Sequence, residues 1–276
     1  MAARLGSIEF INSLPVDLGL LEGAVPLGAE IIQGNPVFLN RRMAEGKLDV
    51  SPVSAFWYAQ NFESLFLLPD LSISSKSGVQ SVLLFSRFDF KDLKGKPIAV
   101  TGKGRTTPAL LEVLSRVHYG FVPTLREVSE NGGGIPPGCG ALLLIGDEAL
   151  IARERNVRSD VKVIDLAEEW RRQTGAPIVF AVWAVRRDYF NANVREVRRI
   201  HRALLQSREW GLAHLEEVLK RSREKTGLAL RGLRSYFSSI AYDLDEELIK
   251  GMRLYFDLAE KCGLLAAKPA VEFVEP

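Results

Sequence analysis

The chain has 276 residues, of which 47% are hydrophobic and 25% charged, with a formal net charge of +2. That length supports one large domain or two lobes around a substantial core, and the near-neutral balance gives no reason to expect a nucleic-acid partner. Two distant cysteines, Cys139 and Cys262, fit neither a metal-ligand spacing nor a disulfide framework. With no basic-then-apolar leader and no apolar stretch of membrane-spanning length, a cytoplasmic protein without membrane insertion is expected.

In chain order, Leu5 to Ile11 reads as a short buried strand interrupted only by Glu9. It runs into FINSLP, where an apolar segment meets the amide of Asn12 and then Pro15. Asn35 followed by Pro36 is an N-cap and first-turn pair. Val37, Phe38, Leu39 and Met43 follow at helical spacing, and Gly46 ends the helix. Leu48 to Val50 suggests a second strand, and Ser54 is placed to cap a helix over Ala55 to Gln60.

Ser81 to Phe85 is a third apolar run, after which short apolar strands alternate with helical segments: KPIAVTG, PALLEVLSRV, TLREVS, ALLLIG, DEALIARER, VKVIDL and VFAVWAV. That alternation predicts α/β architecture with largely parallel sheets. Beyond Arg186 the chain is helical and charged, and its arginines, interleaved with glutamates, suit a solvated face. Asp243 with Glu246 resembles a capping box for a last amphipathic helix that ends at Gly263. The expected layout is two α/β lobes, 1–86 with 185–276 and 87–184, joined by two crossings. A ligand cleft between the lobes follows from that layout.

Few residues carry obvious chemistry. The three histidines, His118, His201 and His214, pair with no carboxylate or cysteine at ligand spacing, so no metal site is expected. No serine sits in a nucleophile elbow. GKGRTTPALLEVL lacks the nucleotide P-loop pattern, but Thr107 before Pro108 reads as a helix N-cap. With Thr106 it presents hydroxyls and free N–H groups where an anion is favoured, although plain capping is the preferred reading of such a site taken alone. LLLIGDEAL ends a strand at Gly146 and begins a helix at Asp147, which serves as an N-cap or a cleft residue.

Taken in order, FINSLPVDLGL, NPVFLNRRMAEGKLDVSPVSAFWYAQN, SISSKSGVQSVLLFS, GRTTPALL, LLLIGDEAL, TGAPIVFAVW and YFSSIAYDLDEELIKGMRLYFDLAEKCGLL resemble the chorismate dehydratases of the futalosine route to menaquinone, over nearly the whole chain. The resemblance implies a two-lobe fold like that of type II periplasmic binding proteins. It also implies loss of water from the dianion chorismate to give 3-[(1-carboxyvinyl)oxy]benzoate, with no cofactor and no metal. Asn12, in the family's NxxP motif, becomes the key catalytic residue. Since an amide is a poor base, Asn12 is expected to orient the substrate, whose own enolpyruvyl carboxylate takes the proton. Ser54, Ser81, Thr106, Thr107, Gly146 and Asp147 become substrate-binding residues. Gly104 and Thr107 stand where the family often has serines, so any contact at Gly104 is through backbone. Two rivals share the fold: the sister enzyme acting on cyclic dehypoxanthine futalosine, which uses a histidine, and a non-catalytic aromatic-carboxylate binding protein.

Overall fold

A computed structural model describes residues 2–101, 106–128, 134–155 and 160–275. Strand β1 (Arg4–Ile8) passes through a 3-10 turn (Ile11–Ser13) into α1 (Leu14–Leu21). β2 (Glu30–Gly34), α2 (Pro36–Ala44), β3 (Val50–Ser54), α3 (Ala55–Asn61) and β4 (Leu65–Ser75) follow. The next block is β5 (Val82–Ser86), β6 (Pro97–Thr101), α4 (Thr106–His118), β7 (Thr124–Val128), β8 (Ala141–Ile145), α5 (Gly146–Arg155), β9 (Lys162–Asp165) and α6 (Leu166–Thr174). The chain closes with β10 (Ile178–Arg186), α7 (Arg187–Ala192), α8 (Val194–Ala213), α9 (Leu215–Thr226), α10 (Leu230–Phe237) and α11 (Glu246–Lys261).

Among the described residues the strands form two five-stranded sheets, ordered β2-β1-β3-β10-β4 and β7-β6-β8-β5-β9. Each sheet is mixed rather than wholly parallel. β1 runs parallel to β2 and β3, while β10 lies antiparallel to both β3 and β4. β6 runs parallel to β7 and β8, while β5 lies antiparallel to β8 and β9. The reversed strands are those that enter from the other sheet. A chain arriving from the cleft must run away from it, whereas β1, β3 and β8 run toward it.

This pairing shifts the crossings from where the sequence placed them. β5 belongs to the second sheet and β10 to the first, so the chain changes sheet between Ser75 and Val82 and again between Asp165 and Ile178. The expected boundaries at 86/87 and 184/185 each fall one strand late. Apolar runs declare a buried strand but not its partners, which lie far away in sequence.

Three local expectations are also corrected. The first strand ends at Ile8, not Ile11, because Ser13 Oγ donates to the Ile8 carbonyl at 2.7 Å and folds the following residues into the 3-10 turn. A buried turn and a buried strand share the same apolar run. α11 is capped by Asp245, which accepts from Leu248 N–H at 2.8 Å, and not by Asp243. Thr107 is the second residue of α4 and therefore inside the helix, not its cap. Asn35 and Ser54 do cap α2 and α3, accepting from Phe38 N–H at 2.9 Å and Trp57 N–H at 3.2 Å.

The turn after β1 is anchored from behind. Ile11 is fully buried, which contributes about 2 kcal/mol by area. Pro15 sits in the first turn of α1, where its missing N–H costs nothing. α1 packs along α8, and Gly211 of α8 lies so close that a Cβ would sit 2.2 Å from the Pro15 carbonyl oxygen. Only glycine permits that approach.

Candidate active site

Between the two sheets lies a cleft with about 640 Å³ of empty space, part of it open to solvent. The first sheet contributes Ile8, at the end of β1, Ile73 near the end of β4, and Phe180 and Ala181 near the start of β10. Val82 of β5 and Ile145 of β8 face them from the second sheet. Phe10 and Phe180 supply aromatic walls that the sequence reading did not single out. Asn12, Ser54, Ser81 and Thr107 are the polar side chains of the lining. Among the described residues no charged side chain lines the cleft.

Asn12 projects from the 3-10 turn at the carboxyl end of β1. Its Oδ1 is buried and has no hydrogen-bond partner among the described residues. A buried amide oxygen left unpaired costs roughly 1–3 kcal/mol, a cost that a bound ligand can relieve. Five residues on, Asp17 of α1 is buried and accepts from Ser7 Oγ at 2.7 Å. Burial pushes the Asp17 carboxyl up to about 7, against the hydrogen bonds from Ser7 and Ser13.

Ser81 is buried and held by its backbone and its side chain. Its carbonyl accepts from Gly146 N–H at 2.8 Å, and its Oγ accepts from the Tyr236 hydroxyl at 3.1 Å. The preceding residues are pinned by Asp165, whose Oδ2 accepts from Val79 N–H at 2.9 Å and Gln80 N–H at 2.6 Å. Tyr236 is not among the site residues expected from the sequence. Only its place in the matching segment YFSSIAYDL hinted at a role. Burial raises its phenol well above the ordinary range, so it stays a neutral donor.

Helix starts converge on the cleft. Pro36 opens α2, Ser54 caps α3, Thr107 lies in the first turn of α4 and Gly146 opens α5. First-turn N–H groups and the helix dipole favour anionic groups without needing a lysine or arginine. Gly146 has φ +62°, and a Cβ there would meet the Phe10 ring at 3.1 Å. Thr106 is the first residue of α4, but its hydroxyl, like Gly104, lies outside the described residues.

Asp147 is not among the residues lining the cleft. Its Oδ1 accepts from Ile11 N–H at 3.0 Å, and its Oδ2 pairs with Lys225 Nζ at 3.2 Å. Burial lifts its carboxyl above the ordinary range, opposed by the Ile11 N–H and the Lys225 ammonium. The structure therefore brings Asn12, Ser54, Ser81, Thr107 and Gly146 together and sets Asp147 one layer behind them.

The sequence family described as Menaquinone biosynthesis matches residues 3–261. The chain belongs to that family. Within reach of it, a Chorismate dehydratase of Thermus thermophilus is 30% identical over 250 residues, covering 86% of this chain and 88% of that one. A 1,4-dihydroxy-6-naphtoate synthase of the same organism is 27% identical over 285 residues, 99% of each chain. Among solved structures, a protein of Archaeoglobus fulgidus superposes with a TM-score of 0.77 at 21% identity, covering 95% of this chain and 98% of that one. A Candida albicans protein with the generic periplasmic binding protein fold gives 0.70 at 12% identity, covering 100% and 98%. The family member described here thus has the two-lobed α/β fold of periplasmic binding proteins. Among the described residues, no helix is long and apolar enough to cross a membrane.

Proposed function

We propose that this protein is a chorismate dehydratase of menaquinone biosynthesis, a carbon–oxygen lyase working without a cofactor. The observation that carries it is the buried Asn12 Oδ1, without a partner among the described residues, in an apolar cleft edged by hydroxyls and helix starts. The 30% identical chorismate dehydratase supports the choice of substrate.

The chemistry suits such a site. The C–H bond on the ring carbon bearing the ether oxygen breaks, and its electron pair becomes part of the ring π system. The neighbouring C–OH bond breaks, and the departing hydroxyl leaves as water with a proton. The ring becomes aromatic, so the driving force lies in the product and the protein chiefly holds a dianion in one pose. Phe10 and Phe180 sandwich the ring. The helix starts at Pro36, Thr107 and Gly146, with the Ser54 and Ser81 hydroxyls, receive the two carboxylates. Asn12, too weak a base to take the proton, hydrogen-bonds the reacting edge of the ring, while the substrate's enolpyruvyl carboxylate accepts the proton. The free thiols Cys139 and Cys262 fit a reducing cytoplasm.

The sister activity finds less support. The resemblance assigns it a histidine, and none of His118, His201 or His214 lines the cleft. The deciding experiment mixes purified, chelator-treated protein with chorismate and follows products by mass spectrometry. The dehydrated aromatic ether is expected. Unchanged chorismate from folded protein would overturn the proposal.

A further inference from the structure

The residue directly before Asn12 is held by the opposite half of the molecule. Ile11 belongs to the turn after β1 of the first sheet, and its N–H donates to Asp147 Oδ1 at 3.0 Å. Asp147 stands in the first turn of α5, directly after β8 of the second sheet. Its second oxygen is engaged by Lys225 Nζ at 3.2 Å, from α9 in the C-terminal helical block. The side chain is only 14% exposed, so these partners account for both of its oxygens away from bulk water. One residue earlier, Gly146 lies where a Cβ would meet the ring of Phe10, on the other side of Ile11 from Asn12.

Asp147 therefore grips a three-residue segment, Phe10 to Asn12, whose two outer members line the cleft. The grip crosses from one sheet's layer to the other's. Any motion separating the layers must break the Ile11 bond, and any motion restoring it returns Asn12 to the same place.

We propose that Asp147 is a positioning residue, acting through the Ile11 amide, that makes placement of the Asn12 carboxamide conditional on α5 being seated against the first lobe. Lys225 keeps the carboxylate aimed at that amide. The inference rests on the chorismate dehydratase reading for its kinetic consequences but not for its structural ones.

The test uses the full chain with Asp147→Ala, Asp147→Asn and Lys225→Met, each checked for folding by its thermal transition. Asn at 147 still offers an oxygen to Ile11 N–H, whereas Ala does not. Asp147→Ala is expected to lower kcat on chorismate by about thirtyfold, with KM within about threefold of wild type, as loss of one charge-assisted hydrogen bond predicts. Asp147→Asn recovers most of that loss. Lys225→Met resembles Asp147→Asn, and the double variant is no worse than either, because both act on one contact. In parallel, hydrogen exchange at the Ile11 amide is expected to quicken about tenfold or more in Asp147→Ala while the β1 amides keep their protection.

Unchanged Ile11 exchange in folded Asp147→Ala overturns the inference whatever the substrate. A rise in KM with kcat intact also overturns it, because it would make Asp147 a substrate-binding group. Wild-type protein that leaves chorismate untouched sinks the functional proposal alone, and the exchange measurement still decides the role of Asp147.

Discussion

Tyr236 and Ser81 are both buried, and the Tyr236 hydroxyl donates to Ser81 Oγ across 3.1 Å at the wall of the cleft. With that lone pair engaged, the Ser81 hydrogen is free to point at a substrate carboxylate. The phenol, raised by burial, keeps its proton throughout the working range.

Removing only that hydroxyl, in Tyr236→Phe, frees the Ser81 rotor. One neutral hydrogen bond contributes about 1 kcal/mol, so kcat/KM for chorismate is expected to fall about fivefold. The fold should survive with little change in thermal transition. Steady-state kinetics showing wild-type kcat/KM would remove Tyr236 from the site.

Asn12 carries the largest expected effect. Asn12→Ala removes a buried oxygen that is unpaired among the described residues, so the protein is expected to be as stable as wild type or slightly more so. By analogy with loss of one preorganised hydrogen-bonding group, kcat is expected to drop about 100-fold or more. Asn12→Asp places a negative charge beside a dianion and is expected to weaken binding as well. Calorimetric unfolding and turnover together check both halves; an Asn12→Ala variant as active as wild type would refute the assignment.

Gly146 is constrained twice. At φ +62° an alanine is strained, and its Cβ would press on the Phe10 ring at 3.1 Å. Gly146→Ala is expected to cost about 1–2 kcal/mol in denaturant unfolding. It should also lower activity, because Phe10 forms a cleft wall. A variant with unaltered stability and kinetics would show that the close approach relaxes without consequence.

Asp17 gives a pH signature. Its folded carboxyl titrates near 7 against an ordinary 3.8, because burial disfavours the charge. Between those values the folded state holds a proton that the unfolded state has lost, so stability falls as pH rises from about 4 to 7. The loss is on the order of 4 kcal/mol, from about 1.4 kcal/mol per pKa unit. Asp17→Asn keeps an acceptor for Ser7 and removes the titration. Its gain in stability over wild type should be large at pH 8 and small at pH 5. Equal gains at both values would place the Asp17 pKa elsewhere.

Much of the fold was legible in the residues. Asn35-Pro36 and Ser54 announced their helices because capping is a local exchange, one side-chain oxygen for a backbone N–H two or three residues on. The alternation of apolar strands and helices disclosed an α/β chain, and the ordered motifs disclosed the family. Asn12, Ser54, Ser81, Thr107 and Gly146 all stand in those motifs.

What the chain alone did not disclose depends on partners far away. Whether β5 and β10 join the first sheet or the second is settled by backbone pairing with strands tens of residues distant, and an apolar run looks the same in either sheet. Asp147 read as a cap or a ligand because its pattern is local, while its partners, Ile11 and Lys225, lie 136 and 78 residues away. Tyr236 reached Ser81 across 155 residues by the same route. Local hydrogen bonding and side-chain periodicity are written in adjacent residues. Which side chains close around a cleft is decided only when burial of the core brings distant segments together.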